Sequence, residues 1–190
     1  MKLLVLGGSF NPVHIGHLIL AEEVAVQFGY DRVLLVPAFA PPHKALVEDP
    51  GPEERLAMLS LAVAKDPLFA IDDSEIRRGG PSYTIDTLAK IACDSALEGK
   101  PALVIGDDLA DGFSSWRRPE EILRLADLIV ARRSGKPFQL EYPYRLAGNL
   151  LIPISSTMVR DRVRMGGAWK WLVPEAVAHH IEKHGLYGLS

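Results

Sequence analysis

Residues 2–17, KLLVLGGSFNPVHIGH, hold the pattern from which the fold follows. Lys2–Leu6 reads as a continuous apolar run that Gly7-Gly8 ends, as in a strand buried on both faces. Asn11 is a good N-cap, and Pro12 suits the first position of a helix. The helix is expected to run to Gly29, because Leu18, Ala21, Ala25 and Phe28 fall on one apolar stripe. Glycine is the usual residue just past a helix end.

Working outward, the alternation of strand and helix repeats. Arg32–Pro37 (RVLLVP) predicts a second strand, and Pro52–Ala64 a helix with Glu53 and Glu54 in its first turn, where the macrodipole favours carboxylates. Phe69–Asp72 reads as a short strand and Thr84–Leu97 as a helix. Ala102–Ile105 and Leu128–Ala131 read as strands around a helix at Pro119–Leu125. Leu150–Ile152 is a weaker strand, and helices at Ser156–Met165 and Pro174–His184 close the chain. Such alternation implies βαβ crossovers. The expectation is an α/β fold, a Rossmann-like doubly wound parallel sheet with C-terminal helices, in a single domain over residues 1–190. Ligands of such sheets sit beyond the carboxyl ends of the strands.

Composition sets the outer bounds. Of the 190 residues 48% are hydrophobic and 24% charged, with a formal net charge of -3, which fits a globular protein and not a general nucleic-acid binder. Cys93 is the single cysteine, so no intrachain disulfide forms and a reducing, cytoplasmic setting is expected. The apolar N-terminal run is too short for a signal segment or a membrane span. The longest irregular stretch is Ala38 to Pro52, with four prolines.

The residues with chemistry follow the strand ends. Gly7 and Gly8 permit close backbone approach, and Ser9 and Phe10 complete the turn. His14 and His17, three apart, share a face of the first helical turn, where outward N–H groups attract anions. Taken alone, two such histidines are more often surface or capping residues. They also lack the glutamate and the i,i+4 spacing of a zinc-binding HExxH helix. Their place after a strand and a double glycine favours phosphate binding instead. In LLIPISSTMVR (150–160), Ser155, Ser156 and Thr157 are N-cap candidates, and Arg160 lies a turn into the helix they open. His179, His180 and His184 read as structural, near a helix C-terminus that suits cations. Trp169 and Trp171 are expected to pack the closing helices. Arg77, Arg78, Arg117 and Arg118 read individually as solvated loop charge.

GGSFNPVHIGH together with ISSTMVR resembles the HxGH nucleotidylyltransferase superfamily. PPHK, PSYTIDTL and IGDD…W are similar to segments of its bacterial nicotinate-nucleotide adenylyltransferase branch, in the same order from Leu4 to about Arg160. Asn11 stands where many relatives carry aspartate. The resemblance implies transfer of AMP from ATP to nicotinate mononucleotide, giving deamido-NAD and pyrophosphate, by direct attack on the α-phosphorus. It implies that His14 and His17 bind the ATP phosphates, with His17 stabilising the transition state. Arg160 would hold the outer phosphates, and Gly7, Gly8, Ser9, Phe10, Ser156 and Thr157 would surround them, with Lys44 closing over from the proline-rich loop beside His43.

For the acceptor, the resemblance implies that the backbone at Tyr83 and Thr84 receives the nicotinate carboxylate. Asp108 would meet ribose hydroxyls and Trp116 would stack on the pyridine ring; Asp107 could be only a turn residue. Mg2+ would enter with ATP, held mainly through phosphates, with no protein metal site. The implied partners are thus ATP and nicotinate mononucleotide, with neither nucleic acid nor membrane, and homo-oligomer formation left open. Rival readings are a sister transferase for phosphopantetheine or nicotinamide mononucleotide, one using CTP, and a silent nucleotide-binding module. An aminoacyl-tRNA synthetase core fails on length.

Overall fold

The alternation of β1 (Leu3–Gly8) decides the architecture, because both of its faces are apolar. Leu4 and Leu6 point to one buried cluster while Leu3 and Val5 point to another. A strand with period-two side chains and two buried faces needs a layer of helices on each side. The computed structural model, which describes residues 1–42, 46–93 and 96–188, shows that arrangement. In chain order the further elements are α1 (Ile15–Phe28), β2 (Arg32–Pro37), α2 (Pro52–Val63), β3 (Phe69–Ile71), α3 (Ser74–Arg78) and α4 (Thr84–Ile91). Then come β4 (Ala102–Gly106), α5 (Asp107–Ala110), α6 (Pro119–Leu125), β5 (Asp127–Ala131), β6 (Arg145–Leu146), α7 (Ser156–Arg164) and α8 (Glu175–His184).

The strands form one sheet in the order β3-β2-β1-β4-β5-β6, and every pairing is parallel. The chain builds outward from β1 to β3, then crosses back to β4 and builds the other way. That reversal places a topological switch point at the carboxyl ends of β1 and β4, where the strands diverge from one another's connections and leave a crevice. One core layer joins Ala21, Val24 and Ala25 of α1, Met58 and Leu59 of α2, Val159 and Val163 of α7, and Val177 and Ile181 of α8. The other joins Ile85 and Leu88 of α4 to Ile122 of α6 and Phe113. The expected α/β doubly wound sheet with C-terminal helices is therefore the observed fold.

Four local expectations are corrected. Helix α1 begins at Ile15 with His14 as N-cap, not at Pro12 after Asn11, because Phe10 and Val13 are drawn into the core and occupy those residues in a turn. Leu150–Ile152 is not a strand; Leu150 and Leu151 are exposed, and the sixth strand is Arg145–Leu146. The ladder stops there because the Asn149 side chain takes over the backbone of Arg132, accepting from its N–H and donating to its carbonyl, both at 2.8 Å. Helix α4 ends at Ile91, six residues short of Leu97, where Cys93 N–H closes a tighter turn on Lys90. Trp169 is buried, but Trp171 is 92% exposed, since one 3-10 turn at Lys170–Leu172 carries it to the outside.

Candidate active site

At the switch point lies a cleft of about 530 Å³. Its floor includes Gly7, Gly8 and Ser9 at the end of β1 and Gly106 at the end of β4. The glycines answer to particular neighbours. A side chain at Gly106 would lie 2.2 Å from Asp108 Oδ1, and one at Gly16 would lie 3.1 Å from His14 Nδ1. Gly16 thus lets the His14 ring fold back over its own helix start.

His14 is the N-cap of α1 and His17 occupies the third helical position, so the motif puts both imidazoles at a helix N-terminus. The rings stack, with centroids 3.6 Å apart and 27° between planes. His17 Nδ1 accepts from the His14 backbone N–H at 3.2 Å, which leaves Nε2 to carry the proton as a donor. His14 is buried, yet neither of its ring nitrogens has a hydrogen-bond partner among the described residues. Burial, with the Arg133 charge added, lowers the His14 pKa to about 3. Burial, then the neighbouring His14 and Arg133, lower that of His17 as well. Both rings are therefore neutral near pH 7, and the His14 ring nitrogens, which line the cleft, are open to hydrogen bonding with a group that enters it.

A second helix N-terminus faces the first. Ser155 caps α7 by accepting from Met158 N–H at 3.1 Å, and Ser156 Oγ donates to the Pro12 carbonyl at 2.9 Å. Ser155, Ser156 and Thr157 all line the cleft with His14 and His17. Arg160 does not; it is buried behind them, donating to the Asn11 carbonyl at 2.8 Å and to Thr157 Oγ1 at 3.3 Å. Its Nε meets Glu48 Oε2 at 3.4 Å. Phe10 is also absent from the lining: it is a core residue whose ring stands edge-on to His17, 5.1 Å between centroids. Lys44 and His43 lie outside the described residues.

At the other end of the cleft, Tyr83 is the N-cap of α4 without a side-chain cap, and Thr84 is the first helical residue. The Arg117 guanidinium sits 4.6 Å above the Tyr83 ring. Trp116 lines the cleft half-buried, its ring 5.2 Å from Phe113. Asp108 is exposed to the cleft and pairs with Arg133 at 3.3 Å. The structure thus brings Gly7, Gly8, Ser9, His14, His17, Ser156, Thr157, Tyr83, Thr84, Asp108 and Trp116 around one space.

A family model described as cytidylyltransferase-like matches residues 5–162. A relative in Treponema pallidum (strain Nichols), named “Probable nicotinate-nucleotide adenylyltransferase”, is 39% identical, with 98% of this chain and 99% of the relative covered. One of the same name in Synechococcus sp. (strain JA-3-3Ab) is 42% identical over 96% and 93%. The chain belongs to the nicotinate-nucleotide adenylyltransferases of the cytidylyltransferase-like family. Its fold is also that of a Plasmodium falciparum nicotinic acid mononucleotide adenylyltransferase solved with NaAD, with a TM-score of 0.76 at 18% identity, covering 100% of this chain and 98% of that one.

Several residues of this family member were not legible as site residues. Arg132 and Arg133 follow β5 directly, and both line the cleft, where Arg133 bears on both histidines. They supply cleft charge that the arginines at 77, 78 and 118 do not: Arg77 pairs with Asp73 and Arg118 with Glu121 on the surface. Asp107 fixes their loop. Its buried carboxylate accepts from the N–H groups of Arg133, Ser134 and Gly135 at 3.1, 2.7 and 2.8 Å. Burial raises its pKa, but these backbone donors outweigh it and hold the group below the usual carboxylate value. The only available signal was position, at the carboxyl ends of β4 and β5.

Proposed function

We propose that this enzyme moves AMP from ATP to nicotinate mononucleotide, forming deamido-NAD and pyrophosphate. The acceptor phosphate oxygen attacks the α-phosphorus, the bond to the bridging oxygen breaks, and pyrophosphate leaves with that electron pair. Transfer of this kind needs positioning and charge stabilisation more than a side-chain nucleophile. The observation that carries the reading is the buried, unpartnered His14 ring stacked on His17 at a helix N-terminus, with the capped start of α7 on the same cleft.

In this reading His17 Nε2–H and His14 donate to the ATP phosphates, while Ser156 and Thr157 bring the α7 N-terminus to the outer ones. Arg160 acts from behind Thr157, adding positive charge and fixing the Asn11 turn. Tyr83, Thr84 and Trp116 lie at the end suited to the pyridine nucleotide, with Asp108 near its ribose. Magnesium would come with ATP and neutralise phosphate charge. The carboxylates lining the cleft are already engaged, Glu75 by Thr87 and Asp108 by Arg133, so the phosphates themselves would hold the ion. Among the described residues no helix is long and apolar enough to cross a membrane, and the reading sets the enzyme in the cytoplasm.

Pyrophosphate release with ATP and Mg2+ tests this against nicotinate mononucleotide, its amide and phosphopantetheine, each alone. The acid mononucleotide is expected to give the highest kcat/KM, and preference for either other acceptor overturns the choice. His17→Ala should lower kcat by roughly a hundredfold or more, about 3 kcal/mol in barrier, with a smaller change in ATP affinity. Near-normal turnover in that variant would remove His17 from the chemistry.

A further inference from the structure

On the face of the molecule formed by α2 and α8, Glu54, His180 and His184 converge outside the residues of the cleft. His180 and His184 are four apart on α8, so both project from one face of the helix, and their rings stack at 4.2 Å with 19° between planes. Glu54, in the first turn of α2, reaches both. Its Oε2 lies 2.6 Å from His180 Nε2 and its Oε1 lies 3.5 Å from His184 Nδ1. One donor atom from each residue lies within 4.8 Å of those of the other two.

We propose that Glu54, His180 and His184 form a binding site for a divalent transition-metal ion of the zinc class, clamping α8 to α2. Two histidines at i and i+4 on a helix are the spacing by which zinc is held in metal-binding helices, and a carboxylate from a second element completes a three-ligand set. Two imidazoles and one carboxylate select zinc, cobalt, nickel or copper over magnesium and calcium, which prefer all-oxygen shells. Bonds of 2.0–2.2 Å at tetrahedral angles set donor atoms about 3.3 Å apart. Different Glu54 oxygens meet His180 Nε2 at 2.6 Å and His184 Nδ1 at 3.5 Å, and one donor atom per residue brings all three within 4.8 Å, so rotation of the stacked rings and a shift of about 1–2 Å reach that spacing.

On binding, His180 Nε2 offers its lone pair to the ion and the ring carries its proton on Nδ1. The side chain of His184 is 37% exposed and that of Glu54 31%, so a fourth position opens to water.

The scaffold beneath is rigid. Arg55, next to Glu54, is fully buried and holds α2 through hydrogen bonds to Asp49, Ser9, Ala38 and Phe39. Val177 and Ile181 lock α8 into the core. Three residues beyond His184, Tyr187 donates to Asn11 Oδ1 in the turn between β1 and α1. A metal clamp on α8 therefore also secures the element that braces the nucleotide site.

The test uses the full chain stripped with a chelator, then titrated with Zn2+ alone by calorimetry. One ion per chain is expected, with micromolar or tighter affinity, and a rise in Tm of about 5–10 °C at roughly a hundredfold excess over Kd. Co2+ in place of Zn2+ should give the visible absorption of a four-coordinate nitrogen and oxygen site. His184→Ala and Glu54→Gln should each weaken Zn2+ binding at least about tenfold. His14→Gln should leave it unchanged, which separates this site from the histidine pair of the cleft. Unchanged Zn2+ affinity in His184→Ala overturns the proposal, as does absence of binding at about 100 µM or of a four-coordinate Co2+ spectrum in the wild-type chain.

Discussion

His14 and His17 gain their character from neighbours that their spacing does not reveal. The sequence shows two imidazoles near a helix start. The structure makes one the cap and the other its partner, so the His14 backbone N–H fixes the tautomer of His17. Burial then holds both pKa values below the ordinary imidazole value, that of His14 at about 3. As pH falls below about 6.5, the unfolded chain takes up protons that the folded chain refuses. The stability that the neutral His14 ring confers is complete above that pH and drains away toward pH 3, at up to about 1.4 kcal/mol per pH unit, and the lowered pKa of His17 acts in the same direction. Urea midpoints between about pH 7 and 4.5 should therefore fall, and His14→Gln should flatten the slope; equal slopes would contradict the buried neutral ring. Asp107 and Asp72 also have lowered pKa values, but unfolded aspartates take up protons mainly near about pH 4 and below, outside the range from about pH 7 to 4.5.

Helix starts α1 and α7 both meet the cleft, and they were legible to different degrees. Ser155-Ser156-Thr157 marked α7 clearly, because hydroxyl side chains at the head of a helix have a local reason to be there. Ser155 does the capping, Ser156 ties the helix to Pro12, and Thr157 meets Arg160. Ser155→Ala should cost about 1 kcal/mol of stability, and Ser155→Thr should restore most of it. A loss below about 0.3 kcal/mol in urea denaturation would show that the cap bond is not what holds α7. The start of α1 was misplaced because Asn11-Pro12 obeys local capping preferences, while burial of Phe10 and Val13 overrides them. The last strand was misplaced for a similar reason. Leu150–Ile152 is the more apolar segment, but Asn149, bonding to Arg132 seventeen residues away, ends the ladder before it.

Across the whole molecule, the fold was readable because β1, β2, β4 and β5 each bury two alternating faces, whereas the braces between distant elements were not. Arg55 reads as a charged helix residue, yet it is fully buried and ties the ends of β1 and β2 to Asp49. Asn11 reads as a cap, yet it is where the two ends of the chain meet. Its backbone oxygen accepts from Arg160, its Nδ2 donates to the Val47 carbonyl, and its Oδ1 accepts from Tyr187, 176 residues away. Tyr187 is buried, and that burial raises the pKa of its hydroxyl, so the group remains a donor throughout the working range of pH. Tyr187→Phe keeps the ring and its packing but leaves Asn11 Oδ1 buried without its partner, which should cost about 1–3 kcal/mol in urea denaturation. Because the same turn carries the oxygen that Arg160 grips, the variant should also raise the KM for ATP while changing kcat less. Stability within about 0.3 kcal/mol of wild type would mean that the Tyr187 hydrogen bond does not brace the end of the chain against Asn11. Lost stability with an unchanged KM for ATP would mean instead that the brace serves the fold and not the nucleotide site.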